Sequence, residues 1–248
     1  MKMQANIFIL VAALLFMQAC EKSILDNCAK NTGRIIIENR GEPHIDYIHI
    51  SDNVNLILKQ GNAGSLRVEA GENIISSIVT EVNEGRLYIR NENKCNWLRS
   101  YNKDINVYLS VADLDSLDYF GSGTISSENA ISGDSVQISV WEGSGSIEME
   151  LDVEKSRLNL HYGTVDFNIR GRSGVTYIYA ASYGPFYCEQ LNSKFVYINN
   201  RGTNNCYVRA SVELGATIEY LGNIYYYGNP PVVHSNISGE GELISMGE

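Results

Sequence analysis

Gly121-Ser-Gly-Thr-Ile, Gly143-Ser-Gly-Ser-Ile, Tyr162-Gly-Thr-Val, Tyr183-Gly-Pro-Phe, Arg201-Gly-Thr-Asn, Leu221-Gly-Asn-Ile and Glu240-Gly-Glu-Leu repeat one short glycine-bearing block through the second half of the chain. With Gly123, Gly145, Gly163, Gly184, Gly202, Gly222 and Gly241 as markers, the steps are 22, 18, 21, 18, 20 and 19 residues. A period of that size means coils stacked along an axis, each burying the apolar side of its neighbour. Strand-like runs precede the markers, as in Val136-Gln-Ile-Ser-Val, Arg157-Leu-Asn-Leu and Val175-Thr-Tyr-Ile-Tyr. Others follow them, as in Ile147-Glu-Met-Glu-Leu and Val165-Asp-Phe-Asn-Ile. Side chains alternate along a strand, so positions two and four past each marker share one side. Two past stand Ile125, Ile147, Val165, Phe186, Asn204, Ile224 and Leu243; four past stand Ser127, Met149, Phe167, Cys188, Cys206, Tyr226 and Ser245. These columns are expected to face inward, with Asn204 the misfit. The position between them holds Ser126, Glu148, Asp166, Tyr187, Asn205, Tyr225 and Ile244, and is expected to face outward.

The first half reads as short strands too: Ile35-Ile-Ile, Tyr47-Ile-His-Ile, Val54-Asn-Leu-Ile-Leu, Ser65-Leu-Arg-Val, Arg86-Leu-Tyr-Ile and Asp104-Ile-Asn-Val-Tyr-Leu. Turn chemistry separates them at Ser51-Asp-Asn, Gln60-Gly-Asn and Asn83-Glu-Gly. Only Glu72 to Thr80 has the look of a brief helix. The fold class is therefore all-β: a parallel β-helix, or β-solenoid, with coils of about 20 residues.

The N-terminus concerns address. An apolar run from Ile7 to Met17, too short to span a bilayer, ends at Met17-Gln-Ala-Cys20. That resembles the bacterial lipoprotein signal, except that Met17 stands where leucine is usual. It implies residues 1–19 as signal peptide, Cys20 as the lipidated N-terminus, residues 20–33 as tether and 34–248 as a single β-helix domain. Cleavage would leave 18 Lys+Arg against 29 Asp+Glu, 18 − 29 = −11. So acidic a chain offers no footprint for nucleic acid and is repelled by anionic lipid. Its membrane partner contact is expected through the lipid anchor alone.

The lipoprotein signal, Asn53-Val-Asn-Leu-Ile-Leu-Lys-Gln-Gly, Val68-Glu-Ala-Gly-Glu-Asn, Gly85-Arg-Leu-Tyr-Ile and Gly121-Ser-Gly together resemble the auto-transporter adhesin, head GIN domain family of Bacteroides-type bacteria. The resemblance covers roughly residues 34 to 230. It implies a right-handed β-helix and placement in the outer membrane or at the cell surface. It carries no catalytic residues with it.

Four histidines, His44, His49, His161 and His234, are scattered without metal-site spacing, and no nucleophile elbow is present. No cofactor or metal is expected. Glu148 and Asp166 share the outward position on adjacent coils, with Arg170 or Lys155 near, so a polysaccharide-cleaving site or a calcium site is conceivable there. A solvated polar face explains the same residues. Tyrosine is the more informative excess: 11 of 16 fall between Tyr162 and Tyr227. Tyr162, Tyr183, Tyr187 and Tyr225 are candidate contacts for a glycan or protein, since tyrosine offers rigid amphipathic area. The leading expectation is a non-enzymatic, lipid-anchored adhesin, with a scaffolding envelope lipoprotein and an enzyme as alternatives. In an oxidising compartment Cys188 and Cys206, at equivalent repeat positions, are either a disulfide or two buried thiols, and their apolar column favours the thiols. A Cys28–Cys95 bridge would staple the N-terminal segment to the body.

Overall fold

A coil with one apolar side has nothing of its own to cover it, so burial must come from the coils above and below. That arrangement is what the computed structural model adopts; it describes residues 31–41, 44–62, 64–93 and 104–248. Cys20, Cys28 and Cys95 lie outside these residues, and with them the expected lipidation site and the Cys28–Cys95 bridge. The first nine strands are short: β1 (Ile35–Asn39), β2 (Tyr47–Asp52), β3 (Asn55–Gln60), β4 (Leu66–Gly71), β5 (Ile78–Asn83), β6 (Arg86–Asn91), β7 (Asn106–Val111), β8 (Ser116–Gly121) and β9 (Thr124–Ser127). Five long ones follow, β10 (Ile131–Val140), β11 (Ser146–Leu160), β12 (Asp166–Ala180), β13 (Phe186–Asn200) and β14 (Cys206–Ile218). The chain closes with β15 (Ile224–Tyr227), β16 (Val232–Ile237) and β17 (Leu243–Gly247).

β10 to β14 stack in chain order in parallel register; β15 and β16 both lie parallel on β14, and β17 on β15. The first half does not stack in chain order. The β2–β3 coil lies between two others, with β6 and β8 on either side of β2 and β7 and β9 on either side of β3. Beyond β6 and β7 the ladder turns antiparallel: β5 hairpins onto β6, β4 lies against β7, and β1 lies against β4. An open parallel edge invites association, and this antiparallel layer covers it at one end of the stack. The segment from Glu72 to Thr80 supplies a single 3-10 turn, Ile75–Ser77, within that layer. At the other end stands the tail after Pro230-Pro231. It forms β16 and β17, one more coil on the ladder, and every residue of β16 is exposed.

The parallel solenoid is the fold that the period implies, but the register differs from the marker count at two coils. The inward column is Ile125, Ile147, Phe167, Phe186, Cys206, Ile224 and Leu243. Val165 and Asn204 are not in it. The reason is that the glycines form two ladders, two residues apart. One runs Gly121, Gly143, Gly163, Ser182, Gly202; the other runs Gly123, Gly145, Val165, Gly184, Asn204, Gly222, Gly241. Counting along the chain from Gly145 to Gly163 to Gly184 steps from one ladder to the other and back, which makes the steps of 18 and 21.

Each long coil bends at a corner near Glu154-Lys155, where two consecutive residues face out and Ser156 then points in. Hydroxyls line the inside of this corner, with Ser156 2.9 Å from Thr176 and Thr176 2.7 Å from Ser193. Each hydroxyl meets another, so the buried polar atoms there are not orphaned.

Cys188 and Cys206 are free and buried. They are not level with one another, because Cys206 sits beside Phe186 while Cys188 sits beside Val208. Burial pushes the Cys206 thiol up to about 12 and raises that of Cys188 well above its ordinary value. The thiolate is the reactive form. Native protein is therefore expected to react with a thiol reagent at pH 8 on the order of a hundredfold more slowly than in denaturant. Rapid native labelling, or no free thiol in denaturant from this pair, would count against the buried pair.

Candidate functional site

Two outward faces flank the corner, and tyrosines line both. On the first face the register runs Ser126, Glu148, Asn168, Tyr187, Tyr207, Tyr225 and Ile244. Tyr187 stacks on Tyr207 with ring centroids 5.5 Å apart and 14° between planes, and Tyr207 on Tyr225 at 4.9 Å and 12°. Offset stacking at such spacing is a favourable aromatic geometry. Tyr187 is 40% exposed. The sequence reading finds Tyr187 and Tyr225 outward but puts Asn205 between them. Tyr207 is what lies there, and its alternation with buried Cys206 and Val208 is the signal for it.

Among the described residues Tyr162 and Tyr183 are the most exposed tyrosines, at 63% and 55%, and both sit in turns. They do not stack. The Tyr183 amide donates to the Gly163 carbonyl at 3.0 Å, which sets Tyr183 in the ladder above Thr164 rather than above Tyr162. Asn204, the misfit of the inward column, instead donates its side-chain amide to the Tyr183 carbonyl.

The carboxylate pair is also corrected by the register. Glu148 faces Asn168, and Asp166 faces Ser146. Glu148 accepts a bond from Ser146 Oγ at 3.2 Å. Arg170 is engaged by Glu150 at 3.1 Å and Arg172 by Asp152, so this face is laced by exposed ion pairs of modest energy. Lys155 belongs beyond the corner, beside Val175. The juxtaposition that made an acid–base or calcium site conceivable is not formed. A bulge between Asn168 and Arg170 opens a polar hollow of about 360 Å³ beside Glu148, lined also by Tyr187, Glu189 and Gln190.

On the second face two outward columns run side by side. One holds Gln137, Arg157, Tyr177, Tyr197, Gly215 and His234; the other holds Ser139, Asn159, Tyr179, Asn199, Thr217 and Asn236. Ile178, between Tyr177 and Tyr179, is buried, as the alternation requires. Tyr177 stacks on Tyr197 at 5.5 Å and 24°, and the Arg157 guanidinium lies 5.3 Å from the Tyr177 ring centre. The ladder then stops, because Gly215 has no side chain to continue it. The result is a groove of about 490 Å³ across β12, β13, β14 and β16. Surrounding bonds fix its walls: Tyr197 Oη donates to Glu213 at 3.3 Å, Asn199 Nδ2 to Glu219 at 2.8 Å, and Arg201 to Tyr179 Oη at 3.2 Å. Burial, with Glu213 beside it, raises the Tyr197 phenol above its usual range, so it stays a neutral donor at physiological pH. Asn199 Oδ1 is buried and meets no hydrogen-bond donor. At one rim Trp141 stacks on His161, 4.0 Å apart and 8° from parallel.

Among the described residues no three His, Cys, Asp or Glu side chains are grouped so as to hold a metal ion. No helix among them is long and apolar enough to cross a membrane.

Fold and faces together define a β-solenoid that displays ladders of outward side chains. The family model described as "Putative auto-transporter adhesin, head GIN domain" matches residues 44–230, and the chain belongs to that family. Its fold is similar to that of a "putative adhesin" from Bacteroides fragilis NCTC 9343, with a TM-score of 0.78, 16% identity, and coverage of 88% of this chain and 100% of that one. A "putative adhesin" from Parabacteroides distasonis ATCC 8503 aligns with a TM-score of 0.67 at 16% identity, over 88% and 100% of the two chains. Another protein of that organism, described as a "putative lipid binding protein", aligns with a TM-score of 0.66 at 17% identity, over 88% and 99%. At such identities the likeness is one of fold. No curated protein matches the sequence.

Proposed function

We propose that this chain is a non-enzymatic adhesin of the bacterial outer envelope, anchored by lipid at Cys20, that presents tyrosine ladders to a glycan or protein. The observation that carries the reading is the stacked run Tyr187, Tyr207 and Tyr225, with the Tyr177–Tyr197 pair on the adjoining face. Rings held by stacking are already ordered, so binding them costs little conformational entropy. Membership of an adhesin family supports the same reading. Each ladder holds its rings in register on one face, and such ordered aromatic area suits burial against a partner.

The test is a glycan and host-protein array probed with the soluble body, residues 21–248. Replacing Tyr187, Tyr207 and Tyr225 together with alanine, or Tyr177 and Tyr197 together, is expected to weaken binding by tenfold or more, since buried interface tyrosines commonly carry over 1 kcal/mol each. Binding that survives removal of both ladders would overturn the reading. The anchor has its own test: Cys20→Ser in the full precursor should release the protein from membranes, and retention would refute lipidation there.

A further inference from the structure

We infer that the groove across β12, β13, β14 and β16 is a binding site for a neutral saccharide. The inference rests on the reading of this chain as a ligand-presenting adhesin and names the ligand class and the site. Tyr177 and Tyr197 wall one side, Asn159, Tyr179 and Asn199 the other, and Gly215 leaves the floor open. Its volume of about 490 Å³ is that of a small-ligand site.

Three observations select the ligand. First, in a chain of net charge −10, no Asp, Glu, Lys or Arg lines this groove. The neighbouring charges are already engaged, Glu213 by Tyr197, and Glu219 by Asn199 and Arg201. Arg157 lies at the edge over the Tyr177 ring and His234 lines one end, but the rest of the lining offers phenols, amides and hydroxyls, which a neutral polyol meets. Second, the floor lies within the sheet, with β14 paired to β13 on one side and β16 on the other. A peptide adding as a strand needs a free sheet edge, which lies on the far side of β16 and not over the β14 floor. A sugar needs no backbone partner. Its C–H face lies on a ring and its hydroxyls bond to side chains, and stacked tyrosines beside a column of amides supply both at the spacing of adjacent strands, about 4.8 Å. Third, Asn199 Oδ1 is an acceptor without a donor. An unmet buried acceptor is costly, and a ligand hydroxyl donating to it would relieve that cost while Nδ2 keeps its bond to Glu219. A lipid chain would leave all these polar groups unmet.

The experiment titrates residues 21–248 with cellobiose, maltose, lactose and N,N′-diacetylchitobiose at up to millimolar concentration, by calorimetry and saturation-transfer NMR. At least one is expected to bind. Gly215→Val fills the floor: a Cβ there lies 2.8 Å from the Tyr197 ring, which must move aside, while the backbone, outside the positive-φ region, accepts a side chain. This variant and Tyr197→Ala should each weaken binding at least tenfold while circular dichroism and melting temperature stay near the parent's. Should Gly215→Val unfold, Tyr197→Ala, at a partly exposed site, still decides. Gly133→Ala, where an added Cβ meets nothing within 4 Å, should leave disaccharide affinity unchanged. No binding by any disaccharide, or binding untouched by both Gly215→Val and Tyr197→Ala, overturns the groove assignment. Array binding to a protein that depends on the ladders would, in that case, leave the adhesin reading standing. Loss of both would remove both.

Discussion

Gly145→Val is expected to prevent the solenoid from forming, or to destabilise it by on the order of 5 kcal/mol, at the far end of what single substitutions do. A Cβ at Gly145 would lie 1.8 Å from the Gly123 carbonyl oxygen and 2.4 Å from Tyr119 Oη. Neither neighbour can yield. The Gly123 carbonyl accepts the Tyr119 hydroxyl at 2.7 Å, and Tyr119 is entirely buried, its phenol pushed far above its usual range by that burial. Moving the backbone instead would stretch the spacing between coils, which the parallel hydrogen bonds hold near 4.8 Å all round. Typical domains have only about 5–15 kcal/mol to lose. Gly133→Ala is the matched control: Gly133 lies in β10, and a Cβ there meets nothing within 4 Å. Urea unfolding followed by circular dichroism should show the control near the parent and Gly145→Val unfolded or insoluble. Equal midpoints for the two would mean that the glycine ladder is not a steric requirement.

The same ladders explain how far the sequence could be read. Alternation is a property of each strand alone, so Ile147-Glu-Met-Glu-Leu and Tyr177-Ile-Tyr declare their inner and outer residues without reference to neighbours. The period likewise declares a stack. Register is different, because it relates one coil to the next, and glycines two residues apart satisfy the turn equally well in a linear sequence. Asn204 held the warning: an amide in an apolar column is costly, and in the structure Asn204 occupies the glycine ladder while Cys206 fills the column. The antiparallel cover made by β1, β4 and β5 was not legible at all. Short alternating strands look the same whichever way they pair, and the β2–β3 coil finds its partners 39 to 69 residues away. The second face was half legible. Tyr177 and Tyr179 are seen as neighbours from alternation, but a groove exists only because Gly215 falls level with Tyr197.

Phe167→Ala is expected to cost about 3–5 kcal/mol, the range for emptying a buried phenylalanine site. Phe167 is fully buried between Ile147 and Phe186, and its ring stacks on Phe186 with centroids 4.4 Å apart and planes 11° from parallel. The double variant with Phe186→Ala should be less damaging than the two single costs combined, by about 0.5–1.5 kcal/mol, because a stacked pair loses its mutual term only once. Chemical denaturation of the four proteins measures this. Coupling of Phe186 to Val165 in place of Phe167 would mean that the other register is right. The outcome bears on function as well as packing. A two-residue slip at this coil would return Asp166 to the side of Glu148 and recreate the acid pair. The same slip at the coil of Cys206 would put Asn205 beside Tyr187 and break the tyrosine ladder. The apolar column that Phe167 and Cys206 complete is therefore what sets Asn168 beside Glu148 and Tyr207 between Tyr187 and Tyr225. A core preference for phenylalanine and cysteine over valine and asparagine decides which chemistry the surface can display.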